Sequence, residues 1–139
     1  MRFVVDSNVL FTFFWKKSVF REICEKQQKL LSPEYALEEI NKHSKEIMKK
    51  ANLSKQEFKK LKAELAVKII FIPQKEYARS LKKARSILSE EHEEIMEDID
   101  FFALAIEFNC PIWSNDKLLK KQKEIPVFDT ADIIEIIEF

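Results

Sequence analysis

Near its start the chain reads Arg2-Phe3-Val4-Val5-Asp6-Ser7-Asn8, and this stretch decides the class of fold. Residues 3–5 form a short, wholly apolar run of strand-favouring types, as expected for a strand that is buried on both faces. Residues 6–8 are of types that favour the N-terminus of a helix. The stretch therefore predicts a buried strand that leads directly into a helix.

Strands and helices alternate along the rest of the chain. Apolar runs predict further strands at Leu30-Leu31, Val67–Ile72, Ile112–Ser114 and Val127-Phe128. The spacing of apolar residues predicts a broken or paired helix over 9–24, and later helices over 75–88, 98–108, 117–121 and 131–137.

Two further helices are predicted between the second and third strands. Ser32 is expected to cap a helix that starts at Pro33 and runs to about Lys50. Ser54 and Glu57 form a capping box for the next helix. No predicted strand separates these two charged helices, which indicates an insertion folded as a helical hairpin. The whole order calls for an α/β fold with a central, mostly parallel sheet and helices on both faces.

Composition limits the classes of protein. With 139 residues, 46% of them hydrophobic and 35% charged, the chain fits a single domain, 1–139, with one core under a charged surface. It contains no glycine, which excludes the glycine-rich loops that hold nucleotide phosphates. Lys plus Arg and Asp plus Glu number 24 each, so any polyanion would have to meet a local basic face.

Cysteine content and hydropathy favour a soluble cytoplasmic protein. Cys24 and Cys110 are too few for a disulfide framework, and both are expected to be buried thiols. No apolar run approaches the roughly 20 residues that span a bilayer, so we expect no membrane partner.

Acidic residues lie where the predicted strands end and helices begin. Asp6 follows the first strand, Asp116 follows the fourth, and Asp98 opens a strongly apolar helix. Any one of these could be a helix cap, but ligand sites gather at the carboxyl ends of parallel strands. Carboxylates that converge there raise one another's pKa unless a cation binds, and Mg²⁺ or Mn²⁺ suits such oxygen ligands. Such a metal can activate a water and stabilise charge on a scissile phosphate.

Four blocks of the chain resemble the signature blocks of PIN-domain ribonucleases. They are Val4–Leu10, Leu37–Ile40, Asp98–Ala105 and Ile112–Lys117, in the family's order. The resemblance implies a Rossmann-like sheet, an acidic metal-binding pocket and single-stranded RNA as substrate. It also suggests the VapC-like toxins of type II toxin–antitoxin pairs, in which an antitoxin protein blocks the pocket.

The resemblance assigns roles residue by residue. It makes Asp6, Glu39, Asp98 and Asp116 the catalytic metal ligands, with Glu39 preferred to Glu38 because an aliphatic residue follows it. Reserve or supporting positions are Ser7, Asn8, Glu38, Asp100 and Asn115. The chain departs from the family before the fourth block, where it has Asn109-Cys110-Pro111 and no glycine; Asn tolerates the left-handed backbone conformation.

Lysines supply the candidate RNA contacts. Lys117, Lys120 and Lys121 directly follow Asp116 and are expected to hold backbone phosphates beside the metal. A second group that includes Lys49-Lys50 is interpreted as a solvated helix face. His43 is interpreted as a structural or surface histidine.

These patterns predict a metal-dependent endoribonuclease, acting either as a toxin or in RNA processing, and we expect a homodimer. Two alternatives stay open at this point. One is a receiver-like signalling domain that binds Mg²⁺ and accepts a phosphoryl group on an aspartate. The other is a PIN-like binding module that keeps the fold and cuts nothing.

Overall fold

A computed structural model describes residues 1–26 and 29–137. Within them the strands are Phe3–Val5 (β1), Leu30–Pro33 (β2), Ile70–Ile72 (β3), Ile112–Trp113 (β4) and Val127–Phe128 (β5). The α-helices are Ser7–Phe11 (α1), Val19–Cys24 (α2), Glu34–Lys42 (α3), Ser44–Ala51 (α4), Lys55–Lys68 (α5), Leu81–Ile87 (α6), Ile99–Phe108 (α7) and Thr130–Ile137 (α8). Shorter 3₁₀ helices lie at Thr12–Phe14, Gln74–Glu76, Ala78–Ser80, Glu90–Asp98 and Lys117–Lys121.

The strands form one parallel sheet in the order β3-β2-β1-β4-β5. Val4 in the central strand pairs with Leu31 on one side and with Ile112 on the other. The predicted α/β class with a parallel sheet is therefore confirmed. The order differs from the 2-1-3-4-5 order of flavodoxin-like sheets, to which receiver domains belong, so the receiver-like alternative is wrong.

The core lies on both sides of the central strand. Phe3, Val4 and Val5 are all fully buried, and successive strand side chains point to opposite faces, so both faces of β1 are covered. α7 packs against β1, β2 and β4 and buries residues 101–105. A helix buried over so much of its surface is apolar nearly all round, as its sequence predicted.

The predicted helical hairpin is present as α4 and α5, and it packs on the core. The Ser54–Glu57 capping box that starts α5 is confirmed, with both of its reciprocal hydrogen bonds formed. Farther along α5 the Phe58 ring stacks on Phe14 with centroids 5.0 Å apart, and Leu65 is fully buried.

Several predicted boundaries are wrong. Ser32 does not cap a helix: it lies in β2, and its hydroxyl donates to the Val5 carbonyl at 2.9 Å. The helix predicted over 33–50 is interrupted at His43, whose backbone lies outside the helical region. Val67 continues α5 instead of starting β3. The helix predicted over 75–88 is α-helical only in its second half and begins as short 3₁₀ turns.

Asparagine replaces glycine at the left-handed helix ends. Asn52 ends α4 with φ of 54°, and Asn109 ends α7 with φ of 50°. Asn pays less than most residues for this conformation, so the expectation for Asn109 is confirmed. Cys24 and Cys110 are free thiols. Over residues 1–26 and 29–137, every helix is too short or too polar to cross a membrane.

Candidate functional site

The four acidic residues predicted as ligands meet at one open pocket of about 240 Å³, near the carboxyl ends of β1 and β4. They come from four separate parts of the chain: the end of β1, the middle of α3, the start of α7 and the turn after β4. The pocket is lined by Asp6, Ser7, Asn8, Phe11, Tyr35, Glu39, Glu97, Asp98 and Asp116.

Asp6 is the most enclosed of these acids, with only 4% of its surface exposed. Its Oδ1 accepts the Ser7 backbone N–H at 2.8 Å. Its Oδ2 accepts the Asn8 side-chain amide at 3.1 Å and the Ser114 hydroxyl at 2.7 Å. Three donors therefore fix this carboxylate in orientation, as is typical of a ligand or catalytic carboxylate held by its neighbours.

Glu39 is held from α1. The Ser7 hydroxyl donates to Glu39 Oε1 at 2.7 Å, so Ser7 binds Asp6 through its backbone and Glu39 through its side chain. Glu38 is exposed and does not line the pocket. The contacts therefore agree with the preference for Glu39, whose role stays a prediction.

Asp98 and Asp116 differ as helix caps. Asp116 Oδ1 accepts the Leu118 N–H at 3.0 Å and so caps the 3₁₀ helix that follows. Asp98 precedes α7 but makes no side-chain capping bond, so its carboxylate is not used to start the helix. Helix capping therefore explains the position of Asp116 but not that of Asp98.

Two of the pocket carboxylates, those of Asp6 and Asp98, resist ionisation. Burial raises the pKa of Asp6 to about 6, although the hydrogen bond from Ser114 lowers it, and the charge of Asp116 adds to the rise. Burial likewise raises the pKa of Asp98 to about 7, with the charges of Asp6 and Glu97 as the next causes. Negative charge is thus concentrated where water is partly excluded.

The donor chemistry of the pocket fits a hard divalent cation. Its acids offer only carboxylate oxygens, and in the described part of the chain none of them pairs with a lysine, arginine or histidine. As placed in residues 1–26 and 29–137, however, no three acidic, histidine or cysteine side chains are close enough together to hold a metal ion. To bind an ion, the carboxylates of the pocket would have to move closer together.

Two of the reserve residues lie away from the pocket carboxylates. Asp100 accepts hydrogen bonds from the Tyr77 hydroxyl and, at 3.4 Å, from the Gln74 amide. Asn115 turns toward α8, where its Oδ1 accepts both the backbone N–H and the hydroxyl of Thr130 at 2.9 Å. Both side chains therefore have structural partners outside the pocket.

Two of the three predicted RNA-binding lysines are paired with acids. Lys120 contacts Asp129 at 3.1 Å and Asp132 at 2.8 Å. Lys121 lies 3.6 Å from Glu94. Lys117 is exposed beside a smaller cavity that Asp116 also lines. RNA contact by these lysines stays a prediction, and Lys117 is the best placed of them.

Several residues in or beside the pocket were not predicted from the sequence. Glu97 lines the pocket. It directly precedes the predicted ligand Asp98, and this neighbouring acid could have been noticed in the sequence. Ser114 directly follows β4 and bonds Asp6, but only the pairing of β1 with β4 reveals their contact. Phe11 and Tyr35 also line the pocket. Because 12% of the residues are aromatic, the sequence alone does not distinguish these two from the aromatic residues of the core.

Comparison with known proteins gives one clear result. Residues 4–125 match the family model described as PIN domain, which covers all four acidic residues and all of the sheet except Phe3 and β5. No curated protein matches the chain, so the assignment depends on that model and on the fold. The chain belongs to the PIN-domain family, whose members are generally nucleases that use divalent metal ions.

Proposed function

We propose that this protein is a Mg²⁺- or Mn²⁺-dependent endoribonuclease that hydrolyses single-stranded RNA. One observation carries the proposal: Asp6, Glu39, Asp98 and Asp116, which are far apart in sequence, line a single pocket. Helix capping accounts for Asp116 and partly for Asp6, but not for Asp98 or Glu39. Their convergence needs a further reason, and metal binding supplies one.

The four carboxylates would hold the metal, and the groups around them would orient those ligands. Bound there, a divalent ion would lower the pKa of the attacking water and offset negative charge on the scissile phosphate. Ser7, Asn8 and Ser114 keep Asp6 and Glu39 turned into the pocket by hydrogen bonds. Since the carboxylates repel a phosphate when no cation is bound, a bound metal should strengthen the binding of the scissile phosphate at the pocket.

The biological role and the partners form part of the same proposal. The likeness to VapC-like toxins favours a toxin, with an antitoxin protein that covers the pocket, over an RNA-processing nuclease. A homodimer and a cytoplasmic location accompany that proposal. Co-expression with the protein encoded by the adjacent gene, followed by cleavage assays of the complex, tests the antitoxin directly. Full activity of the complex would count against inhibition.

Cleavage of labelled single-stranded RNA tests the nuclease proposal. The wild-type chain is incubated with and without Mn²⁺, beside Asp6→Asn and Asp129→Asn. Asp129 is an aspartate outside the pocket, and its variant is the matched control. We expect metal-dependent cleavage by the wild type and the control, and a loss of at least about 100-fold in Asp6→Asn. The products should carry 5′-phosphate and 3′-hydroxyl ends.

Two outcomes would overturn the proposal. Cleavage by Asp6→Asn at the wild-type rate would remove the pocket from the reaction. RNA binding without any metal-dependent cleavage would instead support the non-cleaving binding module. Circular dichroism of each variant excludes unfolding as the cause of a lost activity.

A further inference from the structure

One side of the pocket continues into a row of contacts between two helical segments. Residues 7–15 run beside residues 39–50, and three pairs of side chains join them. The Ser7 hydroxyl bonds Glu39 at the pocket. Beyond it the Phe11 ring meets the His43 ring edge-to-face, with centroids 6.0 Å apart. Farther on, Lys50 Nζ lies 5.6 Å above the centre of the Trp15 ring.

The far end of this row opens onto a second cavity. It measures about 330 Å³ and is lined by Trp15, Lys16, Lys50, Ala51 and Asn52. Phe11 lines the acidic pocket, while Trp15, four residues along, lines this cavity. We call the set Phe11, His43, Trp15, Lys16 and Lys50 the aromatic-basic track. It connects the acidic pocket to the second cavity.

The charge of the track changes with distance from the pocket. Near the pocket His43 is its basic residue, and Glu46 lies 3.6 Å from the His43 Nδ1 atom. At the far end Lys16 and Lys50 are both exposed, and neither forms an ion pair with an acid in the part of the chain that the structure describes. Within the aromatic-basic track, the two lysines therefore lie at the second cavity, away from the acidic pocket.

Aromatic rings interleaved with basic side chains suit a single-stranded nucleic acid. Bases stack on aromatic rings whatever their sequence, while lysines hold the backbone phosphates. A duplex would keep its bases paired and could not place them on these rings. Lys120 and Lys121, on another side of the pocket, are already paired with acids. Within the described residues, Lys16 and Lys50 of the aromatic-basic track form no such ion pair.

We propose that the aromatic-basic track binds the RNA strand beside the cleavage site, with bases on Phe11 and Trp15 and phosphates at Lys16 and Lys50. The identity of the ligand rests on the proposed nuclease function. The inference adds the direction in which the strand leaves the pocket and the reason for a single-stranded substrate. It also replaces the interpretation of Lys50 as part of a merely solvated helix face.

Binding of a labelled 12-nucleotide single-stranded RNA, followed by fluorescence anisotropy, tests the track apart from cleavage. Wild-type protein is titrated without divalent metal at several salt concentrations, beside the Lys16→Gln/Lys50→Gln variant. That variant should bind about tenfold more weakly, and the slope of log affinity against log salt should fall by about 1.4, or roughly 0.7 for each lost phosphate contact.

The matched control is Lys82→Gln/Lys83→Gln. It removes the same charge from two exposed lysines of α6, and Lys83 lies near Asn109 and Pro111, which precede β4. Those residues stand at the end of the sheet opposite the pocket. The control should keep the wild-type salt slope. Equal affinities and slopes for the two double variants would overturn the proposal, and so would an absence of RNA binding by the wild-type chain.

Abasic RNA tests the stacking without any change in the protein. Removal of the bases should weaken wild-type binding about fivefold or more for each stacked base. The Phe11→Leu/Trp15→Leu variant should bind normal RNA about as weakly as the wild type binds the abasic strand, and its affinity should fall little further when the bases are removed. An undiminished affinity of the wild type for abasic RNA would overturn the stacking. Should the wild-type chain fail to cleave RNA while Lys16 and Lys50 still control binding, the nuclease proposal falls and the track stands.

Discussion

The Ser114 hydroxyl donates a hydrogen bond of 2.7 Å to Oδ2 of Asp6, joining residues 108 positions apart. Ser114 Oγ in turn accepts the backbone N–H of Asp116 at 3.0 Å. The contact lies where the chain, having passed from β1 to β2 on one side, returns on the other side to β4. Open α/β sheets bind their ligands at such a reversal of strand order. One serine thus fixes two pocket acids relative to each other.

Ser114→Ala should destabilise the protein by on the order of 1–2 kcal/mol, because it leaves a buried carboxylate short of a donor and an N–H short of its acceptor. Urea unfolding measures the change. Ser89→Ala is the control, since its exposed hydroxyl bonds the nearby Ser86 carbonyl at 3.0 Å. Equal unfolding midpoints for the two variants would contradict the structural role of Ser114. Metal-dependent cleavage by Ser114→Ala should also fall by about 10–100-fold.

Two adjacent residues of α3, Glu38 and Glu39, allow the role of the pocket glutamate to be tested against an exposed one. Glu39→Gln should reduce cleavage by at least about tenfold, because the Ser7 hydroxyl then holds a neutral group in the pocket. Glu38→Gln changes the same chemical group on the exposed side of α3 and should keep wild-type activity. Initial rates over a range of Mn²⁺ concentrations separate weaker metal binding from slower chemistry. The reverse ranking would make Glu38 the ligand.

The stability of the metal-free protein should fall as pH rises from about 4 to 7. The pKa values of Asp6 and Asp98 are raised to about 6 and about 7, so the folded chain binds these protons more tightly than the unfolded chain does. Stability decreases with pH wherever the folded state holds more protons. Asp98→Asn removes one such group and should therefore stabilise the protein at pH 8 but not at pH 4.

Urea unfolding in the presence of EDTA at both pH values measures this effect. We expect a gain on the order of 1 kcal/mol at pH 8, allowing for the partial exposure of Asp98 to solvent. Added Mn²⁺ should stabilise the wild type more than the variant. A variant less stable than wild type at pH 8 without metal would contradict the inferred cost of a charged Asp98 that is partly buried beside other acids.

Lys120 and Lys117 should respond differently to replacement. Lys120→Gln breaks contacts to Asp129 and Asp132 and should lower the melting temperature by about 2–4 °C without a change in the salt dependence of RNA binding. Lys117→Gln should leave the melting temperature unchanged and reduce the salt slope by about 0.7. Thermal unfolding and anisotropy titrations measure the two effects. A lower salt slope in Lys120→Gln would show that RNA displaces its acidic partners.

Asp98 and Asp100 should also have different roles, Asp98 in cleavage and Asp100 in stability. The Tyr77 hydroxyl is buried and donates to Asp100, so Tyr77→Phe should cost on the order of 1 kcal/mol of stability. Asp100→Asn should keep metal-dependent cleavage, whereas Asp98→Asn should lose it. The RNA assay compares the two variants at equal protein concentration. Loss of cleavage in Asp100→Asn, with its fold intact, would show that Asp100 belongs to the reaction.

Local sequence predicted most of the elements. The apolar run 3–5 and the cap types after it predicted β1 and α1, and the Ser54–Glu57 pair predicted the start of α5. The errors arose where tertiary contacts outweigh local preference. Ser32 is of a capping type, yet its hydroxyl bonds Val5 on the neighbouring strand. A residue's propensity cannot anticipate a partner that lies 27 positions away.

By itself the sequence determined the α/β class and most of the order of the elements, and it predicted the four candidate acids, because these depend on short-range periodicity and on residue types that recur in fixed blocks. Only the tertiary structure decided which side chains meet. Strand order places β4 beside β1, and the contact of α1 with α3 sets Ser7 against Glu39. Such juxtapositions depend on how the chain crosses the sheet, so the support that Ser114 gives to Asp6 and the aromatic-basic track became visible only in three dimensions.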